Sequence, residues 1–420
     1  MALPDLIEIL PLAAPVTAEI TAPGSKSITN RALVLAALAR GTTTLRGALW
    51  SEDTQVMVEC LRALGFEVVV SEDPAEDGNR TLAVTGGAGH MRCGGTVARP
   101  LDLFVGNAGT AARFLAAFLC MGEGVYRLHG VPRMHERPQA ALFMALRQLG
   151  YQIDSPNDKL PALLHGGGPR AGVCRVSVSG SSQFASALLL SGAAGRWQVE
   201  VEGANEEEQP YIEMTRRLCE VFPGTGGEFQ IEPDASSGSY FWAARLLGHD
   251  TRVAHWPASG WQVDARFPEF LPLPESLSRE RDLGDSIMTA IVLAPLAARP
   301  VCFTGLGRLR VQECERVAAL RTELTKCGAK VIESGDTLTI HPSALHGARI
   351  ETYNDHRMAM CFAVLGLRVP GMQIQNPACV KKTFPNFFQK LAGPPPRGLG
   401  VAILDAVTRE PLAGDRLFAG

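Results

Sequence analysis

PGSKSITNRALVLAALA, residues 23–39, is the stretch whose reading decides the fold. A short polar turn runs directly into a helix of Ala and Leu that is apolar nearly all round, so the helix has to be buried. The construction recurs as GNAGTAARFLAAFL (106–119), SGSSQFASALLLSGAA (179–194), DASSGSYFWAARLLG (234–248), GDSIMTAIVLAPLAA (284–298) and NDHRMAMCFAVLGL (354–367). A second helix type, amphipathic and closed by glycine, follows most of these. Examples are DTQVMVECLRALGFEVVV (53–70), RPQAALFMALRQLGYQI (137–153) and CERVAALRTELTKCGAKVIE (314–333). Glycine at a helix end ahead of a β-branched run is a C-cap leading into a strand. The repeated unit is therefore strand, buried helix, strand, amphipathic helix, strand, about six times over. Its spacing is too irregular for a solenoid. A chain of 420 residues, 46% of them hydrophobic, exceeds one domain. The expectation is an α/β protein of two globular halves, each with three units around buried helices.

The formal net charge of −3 provides no global field for nucleic acid or an anionic membrane. Ten cysteines contain no C-x-x-C pair, which argues against a zinc knuckle or a redox motif. Cys120, Cys219 and Cys361 sit in apolar helical runs and read as buried free thiols, which suits a reducing cytosol. The first fifteen residues carry acids and prolines with no basic start, unlike a signal peptide. Apolar runs 32–39 and 287–298 are too short or interrupted to span a bilayer. The expected setting is cytoplasmic, with small-molecule substrates, no nucleic-acid or membrane partner, and a monomeric state.

Function is carried by the turns. Each buried helix opens with Ser, Thr, Asp, Asn or Gly, the residues that cap helix N-termini. Such an end offers free N–H donors and partial positive charge to anions. Any one of the six is accounted for as a plain cap. Basic side chains in the same turns (Lys26 and Arg31, Arg113, Arg357) point beyond capping, to phosphate and carboxylate ligands. Pro23-Gly24-Ser25-Lys26-Ser27 lacks the glycine spacing of a nucleotide phosphate loop, which disfavours a kinase.

Seven segments in order resemble the signatures of the 5-enolpyruvylshikimate-3-phosphate synthase family: 23–39, 106–119, PRMHERP (132–138), GSSQFASALL (180–189), RVQECER (310–316), YNDHRMAM (353–360) and KKTFP (381–385). The resemblance spans about residues 8 to 392. It implies a two-domain fold of three βαβαββ units per domain, closing by induced fit on a cleft, with the chain crossing twice between domains. One domain would be 24–233 and the other 1–23 with 234–392, leaving 393–420 as an extension whose Pro/Gly start reads as a linker. The implied activity belongs to the pathway towards chorismate and aromatic amino acids. It is transfer of the enolpyruvyl group of phosphoenolpyruvate to a hydroxyl of shikimate-3-phosphate or a related acid, with release of phosphate and no metal or organic cofactor. The resemblance implies that Lys26, Asn107, Gly109, Arg137, Gln183, Arg316, Arg357 and Lys382 bind phosphoenolpyruvate. It also implies that Asp285 is the base at the acceptor hydroxyl and Glu313 the proton donor, with Lys26 beside the reacting groups. Ser27, Arg31, Ser181, Ser182, Tyr211 and Asp285 would bind the acceptor.

Plainer readings exist for each: Asp285 as a helix cap, Glu313 and Arg316 as a surface pair three residues apart, Lys26 and Arg31 as solvated. Three positions depart from the family. Gln312 stands where a Lys precedes the catalytic Glu. Glu208, in the acidic run 206–208, replaces a Ser, and Arg308 aligns loosely with an Asn. All three changes fall where the acceptor's 3-phosphate would lie, and a carboxylate there repels a phosphate. They raise the alternative of a paralogue from a specialised pathway that uses a non-phosphorylated acceptor or catalyses a related elimination. The loop 130–138 lacks the Cys of the sister UDP-N-acetylglucosamine enolpyruvyl transferases. A non-catalytic metabolite binder would be expected to have lost Asp285 or Glu313, and both are present.

Overall fold

All six apolar segments are helices. Lys26–Leu38, Gly109–Leu119 and Gln183–Gly195 lie in one compact unit, Gly24–Glu232. Ala235–Ala243, Ile287–Leu293 and His356–Gly366 lie in a second, Met1–Pro23 with Pro233–Gly420. Of Gly109–Leu119 only Thr110 escapes burial, as expected of a helix with no polar face. The computed structural model describes residues 3–88, 91, 94–203 and 208–419. Among them no helix is long and apolar enough to cross a membrane.

The amphipathic helices Glu52–Ala63, Ala140–Gln148 and Arg316–Lys326 each end at a glycine in the left-handed region, Gly65 (φ 87°), Gly150 (φ 83°) and Gly328 (φ 88°). A side chain there would be strained, so the helix stops and the next strand begins.

In the unit Gly24–Glu232 one sheet orders its strands Gly227–Gln230, Thr42–Leu49, Asn79–Thr85, Glu67–Glu72. A second runs Leu101–Phe104, Glu123–His129, Ala162–Gly167, Gln152–Asp154. The third is a lone parallel pair, Gly172–Ser177 with Trp197–Glu202. The other unit repeats this with the sheet Ser276–Ser278, Val301–Thr304, Thr337–His341, Lys330–Ser334 and the parallel pair Asp250–Val253 with Thr17–Ile20. Its third sheet has five strands: Arg349–Ile350, Met372–Gln375, Leu6–Ile9, Ile403–Asp405 and Pro411–Leu412.

Two of the six repeats are abbreviated. After Gln209–Val221 the chain makes one strand, Gly227–Gln230, and that strand pairs with Thr42–Leu49 of the first repeat. After Asp250–Val253 the expected amphipathic helix is replaced by a 3-10 segment, Val263–Phe270, with Pro268 inside it. Pro257, Pro268, Pro272 and Pro274 remove the amide donors that an α-helix over this stretch would need.

Beyond its Pro/Gly start the tail, whose role the sequence leaves unassigned, is part of the second unit. Ile403–Asp405 pairs antiparallel with Leu6–Ile9, Ile7 opposite Asp405 and Ile9 opposite Ile403. Leu399, Val401, Ile403, Leu412 and Leu417 are buried in the core of that unit. The alternation Leu399, Val401, Ile403 is a strand signal that the preceding run of prolines and glycines obscures.

Candidate active site

Asp285 lies in the turn leading into Ile287–Leu293, and that turn is fixed from behind. Buried Asp264 of the 3-10 segment accepts the backbone N–H groups of Gly284 (2.7 Å) and Ser286 (3.2 Å), and the Ser286 hydroxyl (2.5 Å), on one oxygen. Burial pushes the Asp264 carboxyl up from its ordinary range, against the hydrogen bonds of Ser236 and Ser286. With Asp264 meeting these amides, the Asp285 carboxylate is turned towards cations. Its Oδ1 meets Arg279 Nη2 at 3.0 Å and Gln312 Nε2 at 3.4 Å. Its Oδ2 meets Arg357 Nη2 at 3.3 Å and Arg316 Nη1 at 3.6 Å. Burial alone would raise this carboxyl, but Arg357, Arg316 and Arg279 outweigh it and hold it far below the usual range. The capping role for Asp285 is thereby set aside.

Arg316 is the hub, with 1% of its side chain exposed. Its Nε lies 2.6 Å from Asp355 Oδ2 and its Nη2 2.9 Å from Glu313 Oε2, and it also donates to Gln312 Oε1. Glu313 in turn meets Lys382 Nζ at 3.1 Å through its other oxygen. The Glu313–Arg316 pair is thus part of a wider network around a buried guanidinium, and the surface-pair reading fails. Burial would lower the Arg316 guanidinium, and Asp355, Glu313 and Asp285 reverse that, holding it well above its ordinary value.

Arg357 is aimed by its own turn. Asp355 caps the helix His356–Gly366 and accepts the Arg357 N–H at 2.9 Å. The two residues before it, Tyr353 (φ 53°) and Asn354 (φ 54°), both stand in the left-handed region, a costly conformation for Tyr. Fully buried Glu323 holds the turn, accepting the Tyr353 hydroxyl at 2.8 Å and the Glu351 N–H at 3.2 Å. Arg308, on the turn Gly307–Val311, is near enough to add to the lowering of Arg279 that burial begins.

The unit Gly24–Glu232 gathers its candidates differently. Arg113 Nη1 donates to Gln183 Oε1 at 2.9 Å and its Nη2 to the Pro138 carbonyl at 3.1 Å, while the guanidinium carbon stands 5.5 Å over the Phe184 ring. Arg137 Nη1 donates to the Asn107 carbonyl at 3.1 Å. Both guanidiniums crowd Gly109. A Cβ at that position would lie 2.5 Å from Arg113 Nη1 and 2.5 Å from Arg137 Nη2, so any other residue would displace the two guanidiniums. Arg31 is buried, bonded to Thr215 Oγ1 (2.8 Å), Ser186 Oγ (3.1 Å) and the Ser27 carbonyl (2.9 Å), and stacked over Phe114. Its weaker bond to the Tyr211 carbonyl is 3.5 Å. Burial pushes the Arg31 guanidinium down to about 10. Lys26 Nζ pairs with Asp53 at 3.1 Å. Neither Lys26 nor Arg31 is solvated as the plainer reading had it.

Ser181 Oγ accepts the Gln183 N–H at 3.3 Å, and the Ser182 N–H donates to Glu208 at 2.5 Å. Glu208 is thus a resident anion at the N-terminus of Gln183–Gly195. Glu206 and Glu207 lie outside the described residues.

The structure therefore joins Asp285, Gln312, Glu313, Arg316, Arg357 and Lys382 in one network. It bonds Arg137 to Asn107 and Arg113 to Gln183 with both guanidiniums beside Gly109, joins Ser27, Arg31 and Tyr211 in a third group, and Ser182 with Glu208 in a fourth. Sequence reading missed Asp264, Arg279 and Asp355 as members. Asp355 was visible as an Asp at a helix start within YNDHR, whereas Asp264 sits in the abbreviated repeat and Arg279 just after the strand Ser276–Ser278, where no motif marks them. Cys219 is exposed, against the buried-thiol reading, because it faces outward on Gln209–Val221.

Residues 12–224 and 279–391 match the model of the family described as EPSP synthase (3-phosphoshikimate 1-carboxyvinyltransferase). A 3-phosphoshikimate 1-carboxyvinyltransferase of Opitutus terrae is 40% identical over 93% of this chain and 98% of its own length. Its counterpart in Trichormus variabilis is 38% identical over 92% and 98%. Among solved structures, EPSP synthase from Acinetobacter baumannii covers 95% of this chain and 100% of its own, with a TM-score of 0.76 at 21% identity. The chain belongs to the EPSP synthase family, and its fold is the enolpyruvyl transferase fold.

Proposed function

We propose that this protein transfers the enolpyruvyl group of phosphoenolpyruvate to a hydroxyl of shikimate-3-phosphate and releases phosphate. The observation that carries the reading is the pair of carboxylates in one partly buried network, Asp285 among three arginines and Glu313 between Arg316 and Lys382. In this reading Arg316, Arg357 and Lys382 take the donor's carboxylate and phosphate. Lys26, Asn107, Gly109, Arg137 and Gln183 are assigned to the same two groups, which guanidinium forks match in geometry. The acceptor oxygen attacks C2 of the donor while Asp285 takes its proton and Glu313 delivers a proton to C3. The tetrahedral adduct then loses phosphate as C3 returns a proton, and acid and base exchange roles. Asp285 held ionised by its arginines suits the base, and it gains basicity as donor anions share those arginines. A monomer in the cytosol is part of the same reading, and the free thiols of the described residues support the reducing setting alone.

A second reading is favoured by Glu208. Its carboxylate holds the Ser182 N–H that an acceptor phosphate would otherwise meet, which suits an acceptor without that phosphate. Phosphate release from phosphoenolpyruvate, measured with shikimate-3-phosphate and with shikimate, separates the two. The first reading expects turnover with the phosphorylated acid. A preference for shikimate, reversed by Glu208→Ser, selects the second. Release with neither acid overturns both.

A further inference from the structure

Three arginines hold Asp285, and two of them are assigned above to the donor's anions. Arg316 and Arg357 both meet Oδ2. A carboxylate or phosphate arriving at these guanidiniums shares their charge and hydrogen bonds, so their grip on Asp285 slackens as the donor binds. Oδ1 is held from elsewhere, by Arg279 Nη2 at 3.0 Å and by the neutral amide of Gln312 at 3.4 Å. We propose that Arg279 is a positioning residue for the reaction, the cation that keeps the Asp285 carboxylate aimed while Arg316 and Arg357 engage the donor. The proposal rests on the donor assignment of those two arginines.

Arg279 is built for a fixed position. Its side chain is 3% exposed. It directly follows the strand Ser276–Ser278, and its backbone N–H donates to the Thr304 carbonyl at 3.0 Å, extending the ladder with Val301–Thr304 by one residue. The chain between Arg279 and Asp285 is closed on itself. Asp282 accepts the Ser278 N–H at 2.8 Å on its carboxylate, and its own N–H returns to the Ser278 carbonyl at 2.9 Å. Asp264 then clamps Gly284 and Ser286. Arginine and carboxylate are thus anchored at both ends of one short turn, with little conformational entropy left to lose on pairing.

The other groups around Asp285 leave this task to Arg279. Arg316 comes from Arg316–Lys326 and Arg357 from His356–Gly366, both assigned to ligand. Asp264 approaches from the 3-10 segment with like charge, and Gln312 is neutral. Arg308 lies beyond Arg279, and Glu313 lies beyond Arg316. Gln312 is the position at which the family pattern carries a cation. In this chain a guanidinium reaches the same oxygen from six residues upstream of Asp285.

The test is steady-state phosphate release with shikimate-3-phosphate across pH, alongside calorimetric titration of phosphoenolpyruvate. Arg279→Gln should lower kcat by about thirtyfold, with the KM for phosphoenolpyruvate within about twofold of wild type. It should also move the acid limb of the kcat profile up by about one pH unit, since a lost cation makes Asp285 easier to protonate. Arg279→Lys should restore most of kcat, leaving about a fivefold deficit, because an ammonium cannot reproduce the guanidinium fork. A merely structural arginine would lower the yield of folded protein and leave the acid limb in place. Wild-type kcat and an unmoved limb in Arg279→Gln overturn the proposal. If that variant does not fold, Arg279→Lys decides alone, and kcat and limb both equal to wild type overturn it. The donor assignment is read separately by the titration. If Arg357→Gln binds phosphoenolpyruvate as tightly as wild type, that assignment fails and takes this proposal with it.

Discussion

In the unit Gly24–Glu232, Arg31 is held by carbonyls, hydroxyls and a ring face. In the other unit, Arg279, Arg316 and Arg357 are held by carboxylates. Neutral acceptors orient a guanidinium without cancelling its charge, so the field stays available to an arriving anion. Carboxylates cancel it, so an arriving anion has to compete with Asp285, Glu313 or Asp355 and changes their proton affinity in doing so. The first arrangement suits binding. The second couples binding to proton transfer, which an addition–elimination reaction needs.

Substitutions can break or sharpen that contrast. Asp285→Asn should cost the most, lowering phosphate release by on the order of 10²–10⁴-fold, with phosphoenolpyruvate binding retained in calorimetry. A loss below about tenfold would remove Asp285 from the proton transfer. Arg316→Met should come next, because it takes the guanidinium from the fully buried Asp355 carboxylate and one cation each from Glu313 and Asp285. Urea unfolding should report a loss of about 3–5 kcal/mol. Arg31→Met leaves only neutral partners unsatisfied and should cost about 1–3 kcal/mol by the same measurement. Equal losses for these two would erase the difference between the units.

Acid unfolding gives a smaller effect with a definite sign. Asp285 titrates lower in the fold than its free value of about 3.9. Its contribution is therefore complete above that value and drains away as pH falls towards the folded value. Wild type should lose stability faster than Asp285→Asn between roughly pH 5 and pH 2, followed by circular dichroism. Last, Arg175→Gln removes an exposed partner of Glu200 and should leave the melting temperature unchanged, because water already screens that pair.

The fold was legible wherever one local pattern determined it. The buried helices follow from runs with no polar face, and their amphipathic partners from glycines such as Gly65 and Gly328 that stand at positive φ. What escaped depended on distance along the chain. Nothing local marks Asp264 as the clamp on a turn twenty residues away, or Arg279 as a partner of Asp285, because a buried charge is justified only by what folding brings to it. Val263–Phe270 escaped for the opposite reason, since an expected repeat masked the prolines that cancel it. The tail's strand escaped because its opening prolines and glycines outweighed the alternation that follows them.

The five-stranded sheet also bears on how the chain assembles during synthesis. Leu6–Ile9 is made before the unit Gly24–Glu232, yet its partners Met372–Gln375 and Ile403–Asp405 follow that unit in the chain. By the time either partner exists, all of Gly24–Glu232 has been made and can have folded as a unit. The early strand must wait until then without Ile374 and Ile403, which stand opposite Ile7 and Ile9 in the sheet. Its shortness and the charge of Glu8 keep a solitary strand of this kind from pairing with another nascent chain.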